Sequence, residues 1–202
     1  VRNALACWCA VRSATVVVHF ASPIPEPLVM AIDFHTATVP TLTRALDQLR
    51  QILAKGAAHA EAQGWDPAVL LGMRLAPDMF PLTRQVQIAT DIAKNAAARL
   101  TGTKAPVFED NETTFAELEA RVQRAIDYLR SVPAEAFAGA ETRAITVPSR
   151  ARGDLHFVGS AYLFGFVLPN VYFHSTTTYA LLRHAGVPLG KADYIGPPPM
   201  HD

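Results

Sequence analysis

Four polar side chains interrupt the apolar pattern of the last predicted helix, and they are the first candidates for chemistry. They are Asn170, His174, Thr177 and Thr178. Asn170 and His174 are four residues apart, so on a helix their side chains lie on one face. That spacing suits two contacts to one ion or one small molecule, provided that both side chains point inward.

A second predicted helix carries Asp78 and Gln85, seven residues apart and again on one face. Gln85 lies between Leu82 and Ile88, which indicates that it points inward. A buried polar group costs about 1–3 kcal/mol unless it is hydrogen-bonded. Two interpretations stay open: these groups pair with one another or with backbone freed near Pro169, or they form a metal or substrate site.

Asp78 is bracketed by Pro77 and Pro81 in the segment RLAPDMFPLTRQVQIA, residues 74–89. One interpretation is a helix start, with Asp78 near the N-cap and Pro81 in the first turn. The other makes the segment the rim of a pocket in which Asp78 and Arg84 contact a substrate. The full set of predicted substrate contacts is Asp78, Arg84, Gln85, Asn170 and Thr177.

Hydrophobic periodicity places these side chains on a helical bundle. Thr38 is the predicted N-cap of the first long helix, and Asp66 is the predicted N-cap of a short helix after it. A Thr-x-x-Glu capping box at Thr114 and Glu117 starts the clearest helix, which Pro133 stops. The remaining expected helices span residues 39–63, 67–75, 78–100 and 160–184.

Surface and core positions follow from the same periodicity. Charges on the helix after Thr114 are expected to face solvent, whereas residues 161–173 are apolar nearly all round, as in a helix covered on several sides. Pro169 is expected to kink that helix. The expected solvent-facing charges are Arg121, Arg124, Asp127 and Arg130.

Two short strand-like segments, residues 144–147 and 155–158, predict a β-hairpin that packs on the bundle. The fold class expected from these elements is all-α, a four-helix bundle with a short β-hairpin before the last helix.

Composition narrows the function classes. Eighteen basic residues balance eighteen acidic ones, which gives no electrostatic reason to expect a nucleic acid partner. No apolar run reaches the roughly 18 residues needed to span a membrane. The two cysteines, Cys7 and Cys9, lie near the start, so we expect no disulfide framework in the folded part and a reducing, cytoplasmic location.

Residues 1–29 sustain no helical or strand period and contain Pro23, Pro25 and Pro27. We expect an extension outside the fold, a domain over residues 30–196 with Met30 as the natural start, and a tail over 197–202. A secretory signal, with Arg2 and Arg12 before a short apolar run, is the alternative.

Two blocks carry a family resemblance: residues 74–89, and PNVYFHSTTTYALLRHAGVPLGKADYIG, residues 169–196. With their spacing and the start near Met30, they resemble an uncharacterised bacterial domain-of-unknown-function family within the DinB-like metalloenzyme superfamily. The resemblance implies a four-helix bundle, often dimeric. In that superfamily three histidines hold a divalent ion, and some members transfer thiol cofactors.

The resemblance also places the metal ligands. His174 matches the second histidine of the last helix, Asn170 stands where the first belongs, and Gln85 is the candidate for the position on helix two. Two of three ligands are thus replaced, and amides are poor ligands for zinc or nickel.

Two hypotheses follow. In the first, the degenerate metal position binds a small molecule or a divalent metal such as zinc or nickel, anchored by His174 with Asn170 and Gln85 as auxiliary contacts. In the second, the protein is a non-enzymatic homodimeric helical module in which these side chains fix helix packing. No cofactor is certain from the sequence.

Overall fold

The computed structural model describes residues 33–149 and 153–198, so the predicted extension over residues 1–29 lies outside the described part. Its α-helices and β-strands follow one another along the chain. They are α1 (Phe34–Gln63), α2 (Pro67–Leu71), α3 (Leu82–Thr101), α4 (Phe115–Ser131), β1 (Ala144–Val147), β2 (Leu155–Val158), α5 (Gly159–Tyr162), α6 (Leu168–His184) and α7 (Lys191–Ile195).

Four long helices, α1, α3, α4 and α6, form the bundle. Helix α1 packs mainly on α4 and α6, and α3 packs on the same two helices. Helices α1 and α3 therefore lie largely across a diagonal, which explains the long connection between them. The expected four-helix bundle is confirmed, and its core contains the predicted apolar positions. On α1 these are Leu42, Leu46, Leu49 and Leu53, and on α3 they are Leu82, Val86, Ala89, Ala93 and Ala97.

Helix α1 begins five residues earlier than expected, and Thr38 is not its N-cap. Asp33 caps it instead, because its carboxylate accepts hydrogen bonds from the backbone N–H groups of His35 and Thr36. The hydrogen bond from the Thr36 hydroxyl, at 2.5 Å, and that from the Thr36 backbone N–H hold the pKa of Asp33 below its usual value. Thr38 is buried inside the helix, and Pro40 is tolerated in its second turn.

Helix α3 begins at Leu82 rather than near Asp78. A proline disfavours helical backbone at the residue before it, and Pro81 is itself the extended N-cap residue, with ψ of 166°, so the helix starts only after it. Asp78 consequently lies exposed in the preceding turn and caps no helix. Helix α2 keeps its predicted Asp66 cap but ends at Leu71, before Gly72, rather than at residue 75.

Helix α4 and the hairpin match their predictions. Thr114 and Glu117 form both bonds of the capping box, and the two strands pair antiparallel with Ala144 opposite Val158 and Val147 opposite Leu155. The hydrogen bonds to its carboxylate hold the pKa of Glu117 below its usual value.

A π turn lies just before Pro169, at the place where the sequence predicted a kink. A π-helical turn, Leu163–Val167, joins α5 to α6, and the Leu168 N–H bonds the Leu163 carbonyl five residues back. A proline ring collides with the carbonyl four residues before it, and the wider π turn gives it room. Coverage of residues 161–173 is also less complete than expected: Phe164, Tyr172 and Phe173 remain exposed.

None of the described helices combines the length and apolar character that a membrane span needs.

Candidate functional site

The centre of the candidate site is a hydrogen bond between α3 and α6. His174 Nδ1 lies 2.6 Å from Gln85 Oε1, and both side chains are buried, with 8% and 1% of their surface exposed. The structure thus brings together two of the residues that the sequence singled out, 89 positions apart. The inward orientation of Gln85 was predicted from the surrounding apolar positions, whereas that of His174 was the condition on which the site depended.

The bond defines the tautomer of the imidazole. Gln85 Nε2 donates to the Phe80 carbonyl at 2.9 Å, so its Oε1 must be the atom that faces His174. A carbonyl oxygen only accepts hydrogen bonds, and His174 Nδ1 must therefore carry the proton. In the neutral ring Nε2 is then the unprotonated nitrogen, with a lone pair available to an incoming donor.

The ring is neutral at physiological pH. Burial lowers the pKa of His174 from 6.5 to about 4, and the positive charge of Arg84 contributes to the same shift. The ring of Phe173 lies edge-on to the imidazole, with 5.2 Å between centroids. His174 is therefore a hydrogen-bond acceptor in a largely apolar setting and too weak a base for proton transfer near pH 7.

The other polar side chains that the sequence singled out on α6, Asn170, Thr177 and Thr178, each bond the backbone carbonyl four residues before them. Asn170 Nδ2 donates to the Phe166 carbonyl at 2.6 Å, and Thr177 Oγ1 donates to the Phe173 carbonyl at 2.8 Å. Asn170 thus bonds backbone next to the π turn, as the structural interpretation proposed. Neither Asn170 nor Thr177 forms a hydrogen bond to the side chain of Gln85 or His174 in the described part of the chain.

No hydrogen bond or ion pair joins Asp78 to Arg84 in the described part of the chain. Asp78 is exposed in the turn before α3, whereas Arg84 forms an ion pair with Asp110 and donates to Gln87 Oε1 at 3.1 Å. Arg84 acts on His174 through its charge rather than through a hydrogen bond. The substrate-binding roles of these residues stay predictions.

Arg121 was expected to face solvent, but its side chain is fully buried. Its guanidinium bonds Thr90 Oγ1 at 2.8 Å, the Glu109 carbonyl at 2.8 Å, Asp91 at 2.9 Å, and Glu112 and Asp110 at 3.0 Å. The spacing contained the signal: positions 118, 121 and 125 share one helical face, and two of them are apolar.

The Arg121 cluster ties the segment between α3 and α4 to both helices. Glu112 is buried and also accepts from Gln87 Nε2 at 3.0 Å, while Lys94 bridges to Asp91 at 3.2 Å. Gln87 also accepts a hydrogen bond from Arg84. The Arg121 cluster is therefore connected to Arg84, whose positive charge contributes to the lowered pKa of His174.

Comparison with known proteins now assigns the family. Residues 34–195 match the family of domains of unknown function DUF1993. The chain belongs to this family. The DUF1993 chain is also similar to the crystal structure of a DinB family member protein from Shewanella denitrificans, with 42% identity and a TM-score of 0.77 over 83% of this chain and 94% of that one. No curated protein matches it.

The DUF1993 residues do not fit the three-histidine ion site of the wider superfamily. The Oε1 of Gln85 is already bonded to His174, and the amide of Asn170 is bonded to backbone. Within residues 33–149 and 153–198, no group of three His, Cys, Asp or Glu side chains stands close enough to hold a metal ion. Zinc sites normally use three or four such ligands.

The lowered pKa of His174 makes the stability of this DUF1993 domain depend on pH. Below pH 6.5 the unfolded chain protonates this imidazole while the folded chain keeps it neutral down to about pH 4. We expect His174 to reduce the free energy of unfolding by up to about 3 kcal/mol as the pH falls through this window, with no contribution above it.

Urea unfolding of the wild type and His174→Ala at several pH values measures this effect. The variant is expected to lose about 1–3 kcal/mol at pH 7, from the missing packing and hydrogen bond, and to lose less against the wild type at pH 4.5. Parallel pH profiles of the two proteins would contradict the assigned pKa.

Proposed function

We propose that this protein binds a small molecule at His174 without a metal ion. The observation that carries the proposal is the bond between His174 Nδ1 and Gln85 Oε1. It turns the imidazole into an acceptor whose Nε2 is not used by the described hydrogen bonds. A ligand group with a donor hydrogen, such as a hydroxyl, thiol or amide N–H, can donate a hydrogen bond to this nitrogen.

The surroundings favour binding over catalysis. A general base works best when its pKa lies near the operating pH. Burial lowers the pKa of His174 to about 4, far below neutral pH. Phe80 and Phe173 contact the two halves of the pair, one through its backbone carbonyl and one through its ring, and both are more than half exposed. The ring of Phe173 provides apolar contact area beside the polar pair.

The test uses the full chain without a histidine tag. Elemental analysis is expected to find no stoichiometric zinc or nickel after loading and dialysis. In imidazole ¹⁵N spectra, His174 is expected to carry its proton on Nδ1, and small thiols and alcohols are expected to shift its Nε2 resonance. His156, whose Nδ1 lies 3.1 Å from Thr146 Oγ1 on the hairpin, is the internal control.

Two outcomes would overturn the proposal. One zinc or nickel ion per chain, lost in His174→Ala, would show that the site is a metal site after all. Probes that shift neither the His174 resonance nor the melting temperature would show that the imidazole only joins α3 to α6.

A homodimeric, non-enzymatic module is the second candidate. The exposure of Phe164, Phe173 and Phe80, at 44%, 57% and 54%, favours it because aromatic side chains are enriched at protein interfaces. The solution mass, measured by light scattering with and without the probes, separates the candidates: a dimer that persists while no probe binds supports the module.

A further inference from the structure

A separate cavity lies between α1, α6 and α7, and it involves none of the residues of the His174 site. Its volume is about 310 Å³, within the range of small-molecule sites. Helix α1 contributes Thr41, Arg44 and Gln48, helix α6 contributes Tyr172 and Ser175, and helix α7 contributes Tyr194.

One buried polar group in the cavity wall, the Ser175 hydroxyl, has no partner among the described residues, and the amide of Gln48 in the same wall takes part in no described hydrogen bond. Ser175 is 2% exposed, and its hydroxyl makes no hydrogen bond within the described residues. Gln48 is 8% exposed, and its amide forms no bond with any described residue. Most buried polar groups in native proteins are bonded, so the orphaned Ser175 hydroxyl in the cavity wall indicates that something else supplies its partner.

The backbone around Gln48 leaves space for its amide. Gly196 has a φ of +71°, and a Cβ at this position would lie 2.6–2.8 Å from the three amide atoms of Gln48. Only glycine fits that contact without displacing the amide. The chain after α7 therefore holds the Gln48 amide in place in the cavity wall.

Charge and donors favour an anion. Arg44 is the charged residue of the lining, which contains no carboxylate. Its Nη2 donates to the Ile195 carbonyl at 2.8 Å and the Pro197 carbonyl at 2.6 Å, so Nε and Nη1 keep donors free of described partners. Together with the Ser175 hydroxyl and the Gln48 amide, these donors match the two oxygens of a carboxylate.

The rest of the wall is apolar and rigid. Tyr172, Tyr194, Ala45 and Ile195 supply its surface. The Tyr194 hydroxyl is held by Thr176 Oγ1 at 3.0 Å, which fixes the ring that closes the cavity. Such walls suit an aliphatic or aromatic body.

From these observations we infer that the cavity between α1, α6 and α7 binds a small carboxylic acid with an apolar body. The carboxylate accepts hydrogen bonds from Ser175, Gln48 and Arg44, and the body packs between the two tyrosines.

Calorimetry and thermal shift with phenylacetate, hexanoate and phenylacetamide test this inference on the full chain. The two acids are expected to bind and to raise the melting temperature, and the amide is expected to bind more weakly. Ser175→Ala should weaken phenylacetate binding about tenfold, the effect of one hydrogen bond to a charged group. Its ligand-free stability should not fall, because the hydroxyl has no partner to lose.

Two further variants make the result specific. Ala45→Leu fills the cavity and is expected to abolish binding of both acids. Ser131→Ala makes the same chemical change as Ser175→Ala at an exposed position on α4 and should leave binding unchanged. Absence of acid binding, or binding that survives both Ser175→Ala and Ala45→Leu, overturns the inference. Neither result bears on the site at His174.

Discussion

Replacing Arg121 by alanine is expected to destabilise the protein by about 3–5 kcal/mol, because it removes the partner of a buried charge. Glu112 is 3% exposed at its side chain and would lose its closest cation, at 3.0 Å. The same substitution leaves Thr90, Asp91 and the Glu109 carbonyl without a donor that each now uses. The free energy of unfolding in urea measures the loss.

Arg124 is the matched control for Arg121. It lies on the same helix, also faces Glu112, at 3.6 Å, and is 57% exposed. Solvent screens such a pair, so Arg124→Ala is expected to cost about 1 kcal/mol or less. The double substitution Arg121→Met and Glu112→Gln should recover part of the loss, because it removes both charges. Equal effects of the two alanine variants would show that Arg121 does not hold the cluster together.

Gly159→Ala adds a single methyl group, yet it is expected to lower the free energy of unfolding strongly. A Cβ at this buried position would lie 1.7 Å from the Ala140 carbonyl oxygen. Backbone atoms cannot move aside as a side chain does, so either the turn at Ala140 or the start of α5 must shift. We expect a loss of at least about 3 kcal/mol, at the upper end of overpacking effects.

Gly165, in the π turn, provides the control. Nothing lies within 4 Å of a Cβ built there, and alanine in place of glycine reduces the freedom of the unfolded chain. Gly165→Ala should therefore be neutral or stabilising by up to about 1 kcal/mol. Thermal and urea unfolding of both variants decide the matter; similar melting temperatures for the two would contradict close packing at Gly159.

Patterns within one element were sufficient to predict much of the fold. The capping box at Thr114, the hairpin strands and the apolar stripes of α1 and α3 depend on residues a few positions apart. Helix starts were less predictable, because capping residues compete. Asp33 caps α1 where Thr38 was expected, and Pro81 excludes the start near Asp78.

The candidate site was predicted only in part. The inward-facing position of Gln85 followed from periodicity, whereas the orientation of His174 and the bond between the two side chains depend on how α3 and α6 meet. Asn170 has the right spacing on α6 but bonds backbone near the π turn instead. Asn170 and His174, four residues apart on α6, therefore have different hydrogen-bond partners, whereas Gln85 and His174, 89 positions apart, bond each other.

The sequence by itself determined the helices, the hairpin and the identity of the polar side chains on apolar faces, because these depend on local backbone preferences and on periodicity. Only the tertiary structure decided what those side chains contact. It buries Arg121 among carboxylates, selects the imidazole tautomer of His174 and leaves Ser175 facing a cavity. The physical reason is that burial, pKa and hydrogen-bond partners depend on distances between helices, which no spacing along the chain contains.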